Sequence, residues 1–412
     1  PLPPLHFSHK HTILPVLTDR HFLMTNTGIT MKKLSGLDHL RSLAILMVLF
    51  YHYRMFQHPH WLDEIMSFGW TGVDLFFVLS GYLISYPLFI NMAAGKSISL
   101  PEFFIKRFFR IIPAYLVVLA IYFLFPSFHE REALPPLWKF LTFTQNFGFD
   151  IKNLGTFSHV WSLCVEEHFY LLFPLVLAAL LKFNVWRKAG ILLAVLFIFG
   201  IGIRLYCWYA FIAPHLGEDN FFITWYKHMY YPTYTRLDGL LAGVSIAALF
   251  AFKPAVKARV TQHGNAILLL SLAVLAGAWF LCEDQETFSA SVFGYPLVAA
   301  GYGLAVVAAV SPSCILYRYN SRVTALIAKL SFALYLSHKG VIHLAQPLLA
   351  KTGLAPKGTP MFMACLLVAG LGAFTLNKAV EAPFLRLRQR VLEQRKKTAH
   401  KKMMMITNDS AA

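Results

Sequence analysis

Charge is scarce in this chain. Of its 412 residues, 14% are Asp, Glu, Lys or Arg while 57% are hydrophobic, and the mean hydropathy of +0.55 lies above that of ordinary soluble chains. That shortage excludes a soluble globular fold. Apolar stretches of about 17 to 25 residues recur along almost the whole length, each able to cross a hydrocarbon core roughly 30 Å thick as a helix. No stretch is left over for a large soluble domain. Cysteine is also sparse: Cys164, Cys207, Cys282, Cys314 and Cys365 lie scattered in apolar segments or at their edges. They lack the paired spacing of a disulfide framework or metal site, so they read as packing residues and no metal is expected. Internal repeats are missing as well, which weighs against inverted-repeat transporters.

The few charges are unbalanced, 37 Lys and Arg against 20 Asp and Glu, for a net +17. Nucleic acid is not the expected partner, because the basic residues form no stripe with interleaved aromatics. They sit between spans and in the tail. The pattern predicts an all-α, polytopic integral membrane protein with about ten transmembrane helices, near 40–55, 70–92, 111–126, 160–181, 189–212, 234–252, 266–282, 292–311, 324–346 and 360–381. With the N-terminus inside, the tails and inner loops hold about 24 Lys and Arg and the outer loops about 6. This positive-inside bias places both termini in the cytoplasm. Residues 1–33 lack the features of a secretory signal and read as a disordered leader or a mis-called start, with "MKKLSGLDHL" from Met31 a natural beginning. Residues 34–385 form the membrane domain, and 386–412 a basic cytoplasmic tail that is largely solvated and touches anionic lipid.

Ionisable groups inside spans cost several kcal/mol unless paired or hydrated, so each is a functional candidate. In "DHLRSLAILMVLFYHYR", Arg41 and His52 are eleven residues apart. Eleven steps of 100° return to within about 20° of the same helical face, with a rise of roughly 16 Å. Arg41 then lies near the cytoplasmic interface, where Asp38 can pair with it, and His52 lies deep or toward the outer side. The plain alternative is a snorkelling arginine and a helix-packing histidine. In "FFIKRFFRIIPAY", Lys106, Arg107 and Arg110 share one face just before the third span, and Pro113 falls near that span's start. Paired guanidiniums suit phosphate oxygens, although such a cluster also serves as a positive-inside signal. "SHVWSLCVEEHFYLLFPL" carries Glu166 and Glu167 within an otherwise apolar run, with His159 and His168 close by. Adjacent side chains diverge by 100°, so one carboxylate can enter a central cavity while the other braces a neighbouring helix. Arg236 and Asp238 open the sixth span, where they can neutralise partners on other helices, and His338 and Lys339 lie inside the ninth. For His338, helix packing is the default. The outer loops 127–159 and 213–233, with Trp138 and Trp225, have the aromatic content that stacks on sugar rings, though aromatics also mark membrane interfaces.

Taken together, these segments resemble the acyltransferase-3 family of membrane acyltransferases, which modify surface glycans, from about Leu34 to Arg390. "RSLAILMVLFYH" is similar to its Arg-ten-residues-His signature, "GVDLFFVLSGYLIS" (with Ser80) to its second-span motif, and "KRFFRIIPAY" to its Arg-x-x-Arg element. "HVWSLCVEEHFYLLFP" (with Trp161) resembles its paired-glutamate motif, and "TRLDGLLAG", "LSFALYLSHKGVI" and "VEAPFLRLR" match later landmarks in order. Cys164 stands where the family usually has Ser or Ala, and His168 where Gln is common, which bears on acceptor preference. The chain looks like the stand-alone form, without the periplasmic hydrolase-like domain of many relatives.

The resemblance implies a multi-pass protein of the inner membrane that takes an acyl group from cytoplasmic acyl-CoA, usually acetyl-CoA, to a hydroxyl of a lipid-linked or extracytoplasmic carbohydrate such as lipopolysaccharide. Partner envelope enzymes fit the same picture. Arg41, Arg107 and Arg110 would hold the CoA phosphates, and a pantetheine arm of about 15 to 20 Å matches the roughly 16 Å from Arg41 to His52. His52 would act as general base or as a transient acyl carrier, with Glu166 orienting its ring. Glu167, Arg236, Asp238, His338, Ser80 and Trp161 would bind acceptor or brace helices. A proton-coupled transporter is the rival hypothesis from another class, since membrane His and Glu residues also build proton relays.

Overall fold

The computed structural model describes residues 35–185 and 188–409, with side chains through Thr398; the expected leader and the start at Met31 lie outside the described residues. Among the described residues there are helices and no strand. The main ones are α1 (Ser35–Tyr53), α2 (Gly72–Ala93), α3 (Leu100–Leu124), α4 (Trp161–Lys182), α5 (Ala189–Cys207) and α6 (Asp238–Phe252). They are followed by α7 (Gly264–Leu281), α8 (Tyr295–Ala309), α9 (Arg322–Ala350), α10 (Thr359–Leu376) and α11 (Ala382–Asp409). Closing every backbone hydrogen bond within a helix is what a bilayer demands, and the chain is an all-α polytopic membrane protein.

Among the described residues, eight helices are long and apolar enough to cross a membrane. Two expected spans fall outside that measure. α6 has only 15 residues, and Asp38, His39, Arg41 and His52 lower the hydropathy of α1.

The third expected span needs correction at its start. Its helix, α3, begins at Leu100, because Ser99 Oγ accepts the Glu102 N–H at 3.3 Å and Pro101 occupies the first turn. Pro113 is therefore interior to the helix, and Arg107 and Arg110 ride on it. The basic tail is helical through Asp409: a π-turn over Asn377–Glu381 carries α10 into α11, whose Arg, Gln, Glu and Lys residues are good helix formers.

Burial separates an inner set of helices from a rim. The apolar windows of α2, α8 and α9 are 61%, 67% and 61% buried, whereas those of α5 and α7 are each 17% buried. Ile191, Val195, Ile198 and Phe199 on α5 and Leu269, Leu270, Leu272 and Phe280 on α7 face outward, as lipid-facing side chains do. α1 belongs to the inner set, packing on α2, α8 and α9 through Leu40, Ala44, Ile45, Val48 and Leu49. α2 and α6 approach closely. A Cβ on Gly81 would stand 2.2 Å from Leu240 O, and one on Gly243 would stand 2.2 Å from Val78 O, the small-residue contact by which membrane helices associate.

Candidate active site

The continuous helix α1 puts Arg41 near its beginning and His52 in its last turn. α4 runs antiparallel beside this pair: Tyr170 lies near Arg41, and His159, in the 3₁₀ turn that leads into α4, lies against His52. Eleven residues separate Arg41 from His52 and eleven separate His159 from Tyr170, so the two segments present matched ends roughly 16 Å apart.

At one end, three guanidiniums gather. Arg41 is within electrostatic reach of Arg107 and Arg110 from α3, and of Asp38 and Tyr170. All three arginines are partly accessible. Arg107 lies over the Tyr170 ring at 5.4 Å, and Arg110 Nη1 is 3.7 Å from Glu381 Oε2. The three expected donor-binding residues are thus brought together from two helices far apart in sequence. Lys106 turns away and pairs with Glu102 at 2.6 Å.

Glu166 belongs to this end, which corrects its expected role. Its carboxylate accepts from Tyr170 Oη at 2.5 Å and from Ser80 Oγ at 3.0 Å, with Arg107 in electrostatic reach. Seven residues, roughly 10 Å of helix rise, separate it from His159 and the other end, too far to orient His52. Glu167, pointing 100° away, has a buried Oε1 with no hydrogen-bond partner among the described residues.

The other end holds three imidazoles. His52 Nδ1 lies 2.9 Å from His338 Nε2, with the rings stacked at 5.1 Å. His159 packs edge-on against His338 at 4.8 Å and against His52 at 5.8 Å. His159 and His338 are buried, while His52 is partly accessible and is the member placed to meet a substrate. Tyr335 Oη donates to His159 O and shares a hydrogen bond with Ser162. His159 is presented by Phe157, a bulky residue in the left-handed region at φ 57°. Such a backbone costs on the order of 1–3 kcal/mol and persists only where its surroundings dictate it. Here the Phe157 N–H donates to Glu130 Oε1 at 3.0 Å, and its ring stacks on Tyr122 at 4.1 Å. Glu130 also pairs with the buried Lys339 at 3.1 Å, tying the 127–159 loop to the residue next to His338.

The remaining candidates are braces. Arg236 Nη2 donates to both oxygens of Asp74 at 2.9 and 3.0 Å, inside a box of Trp70, Trp161, Tyr230 and Tyr295. Asp238 takes two hydrogen bonds from the buried Arg204, at 2.6 and 3.1 Å. Each expected late-span charge therefore neutralises a partner on another helix, and Trp161 is a wall of the Arg236 box. Asp74 and Arg204 are the partners sequence reasoning missed, although each is an isolated charge in an apolar run. His168 bonds Thr233 Oγ1 through Nδ1 at 2.8 Å, and Cys164 is buried against Val160 O. Trp225 is fully buried, with Nε1 donating to Ser291 at 2.7 Å, so it offers no sugar platform; Trp138 is exposed. Past the end of α1, an open pocket of about 620 Å³ is lined by Met55, His58, His60, Asp63, Gln346 and Lys357, among others.

Known proteins resemble the chain over most of its length. O-acetyltransferase OatA of Staphylococcus aureus (strain NCTC 8325 / PS 47) is 29% identical over 325 residues, covering 75% of this chain and 50% of its own length. Peptidoglycan O-acetyltransferase OatA of Listeria monocytogenes serovar 1/2a is 29% identical over 343 residues, covering 79% and 52%. A putative O-acetyltransferase of Staphylococcus aureus (strain COL) is 30% identical over 329 residues, covering 76% and 51%. The chain thus spans about half the length of the curated relatives it matches. No solved structure gives a significant match. The acyltransferase-3 model, described as an acyltransferase domain, matches residues 34–376, the region that holds both ends of the site, and the chain belongs to that family.

Proposed function

We propose that this protein is a membrane O-acyltransferase of the inner membrane, moving an acetyl group from cytoplasmic acetyl-CoA to a hydroxyl of an envelope carbohydrate. The observation that carries the reading is the pair of matched ends: three guanidiniums from α1 and α3 at one and a partly accessible histidine at the other, roughly 16 Å apart along α1. Guanidiniums are the side chains best suited to phosphate oxygens, and a cluster of three fits a nucleotide carrying several phosphates. Arg41, Arg107 and Arg110 hold that end, and Glu166, fixed by Tyr170 and Ser80, steadies Arg107 beside it. Bound acetyl-CoA supplies the activated thioester.

His52 accepts the proton of the acceptor hydroxyl while that oxygen bonds to the acyl carbon. As the C–S bond breaks, His52 returns the proton to the leaving sulfur, so that ester and free thiol form and the imidazole is restored. The open pocket past the end of α1, with His58, His60, Gln346 and Lys357 in its wall, offers a carbohydrate the hydrogen-bonding partners it needs. Peptidoglycan, named for the Listeria relative, is the first acceptor to test, ahead of lipopolysaccharide.

Two measurements test the reading. Purified protein in lipid nanodiscs should release CoA from acetyl-CoA only with a glycan acceptor, and His52→Ala should abolish release while leaving the protein folded. Mass spectrometry of envelope glycans from cells with and without the gene should show a lost acetyl group. Unchanged acetylation in the deleted strain, or full activity in His52→Ala, would sink the proposal.

A further inference from the structure

A neutral imidazole carries its proton on one of two nitrogens, and at His52 the surrounding groups decide which. His338 Nδ1 lies 3.0 Å from Leu334 O and 2.9 Å from Tyr335 O. Carbonyl oxygens only accept, so this nitrogen bears a hydrogen. With one nitrogen protonated, neutral His338 presents a lone pair at Nε2, directed at His52 Nδ1 across 2.9 Å. Two lone pairs cannot make that contact. His52 Nδ1 therefore bears a hydrogen too, and its Nε2 is left bare. No protein group bonds that Nε2 among the described residues.

We propose that His338 is a positioning residue: through the Leu334 and Tyr335 carbonyls, it locks His52 in the Nδ1–H tautomer and makes Nε2 the atom that removes the acceptor's proton. This rests on the reading of His52 as the general base. His338 holds the place that a carboxylate holds in a Ser-His-Asp triad, orienting the base and receiving its second N–H. When His52 gains a proton at Nε2, its Nδ1–H already points at the His338 lone pair, so no ring has to turn. His338 is fully buried, which keeps water from replacing it as the acceptor. Its ring is fixed on two sides, by the stack with His52 at 23° between planes and by the edge contact with His159.

The direct test is ¹⁵N NMR of histidine-labelled full-length protein in lipid bilayers, with the His52 signals identified by their loss in His52→Gln. A protonated Nδ1 and a bare Nε2 are expected. The opposite tautomer overturns the proposal whatever the activity, so it fails separately from the functional reading, which His52→Ala tests. Kinetics give a second readout. His338→Phe keeps a ring but removes the acceptor and should lower kcat about a hundredfold with the KM for acetyl-CoA unchanged. In His338→Gln the side-chain oxygen can stand where Nε2 stood, and at least a tenfold part of the loss should return. Equal losses in the two folded variants, or a change confined to KM, would overturn the proposal.

Discussion

Arg236 and Arg107 are both arginines in an apolar helix bundle, yet their surroundings give them different work. Arg236 is sealed among four aromatic rings with both of its Asp74 hydrogen bonds made. Replacing it with Met strands a buried carboxylate, a change that costs about 3–5 kcal/mol. The thermal midpoint of detergent-purified protein should fall accordingly, and the double variant Asp74→Leu/Arg236→Met should recover most of the loss. Arg107 and Arg110 are partly accessible but face buried carboxylates, Arg110 lying 3.7 Å from Glu381, so the double variant Arg107→Ala/Arg110→Ala should melt below the parent and, in the folded fraction, raise the KM for acetyl-CoA at least about tenfold with kcat less affected. Outside the spans, Arg54 Nε donates to Asp63 at 2.8 Å and, with His58 beside it, holds the Asp63 carboxyl below its ordinary value of 3.8. A lowered folded pKa means stability that is present above the unfolded value and is lost as pH falls through the folded one. Because Asp63 is 43% exposed, the effect is a few tenths of a kcal/mol. Asp63→Asn should therefore melt slightly below the parent at pH 6, with the gap closing as pH falls through the lowered Asp63 value.

Between α2 and α6, backbone meets backbone at Gly81 and Gly243. Alanine at either position pushes a methyl group into a carbonyl oxygen and should cost about 1–3 kcal/mol, whereas alanine at Gly370, where nothing lies within 4 Å, should be neutral or slightly stabilising. Midpoints of the three single variants measure the contrast. The helices themselves were legible in the sequence, because a bilayer demands long apolar runs and hydropathy reports them. The start of α3 was not read, since a cap at Ser99 sets it rather than the end of a charged stretch. The Arg41–His52 pair was visible because periodicity is a local property. Which side chain faces His52 was not: Glu166 and His338 are both polar residues in apolar runs, and only the packing of α1 against α9 and the distance along α4 separate them. Trp225 misled for the same reason, as composition marks an aromatic loop but not which ring is buried.

At the scale of the whole molecule, the proposed mechanism needs its arginine end open to the cytoplasm and its histidine end reached from the other side of the membrane. A cysteine placed at residue 398 should react with an impermeant reagent only in inside-out vesicles, and one placed at Trp138 only in right-side-out vesicles; the reverse pattern would remove the donor site from the cytoplasm. The same two-sidedness gives the histidine trio a further consequence. A histidine held by a carboxylate keeps a full negative charge beside the reacting atoms at all times, whereas a histidine held by a second imidazole leaves the pair uncharged until a proton arrives. Lys339, the cation next to His338, is already cancelled by Glu130. Under the proposed mechanism the histidine trio is then electrically silent between turnovers and carries one transient positive charge within each, and because that proton goes to the leaving thiol, each cycle would move no net charge across the membrane.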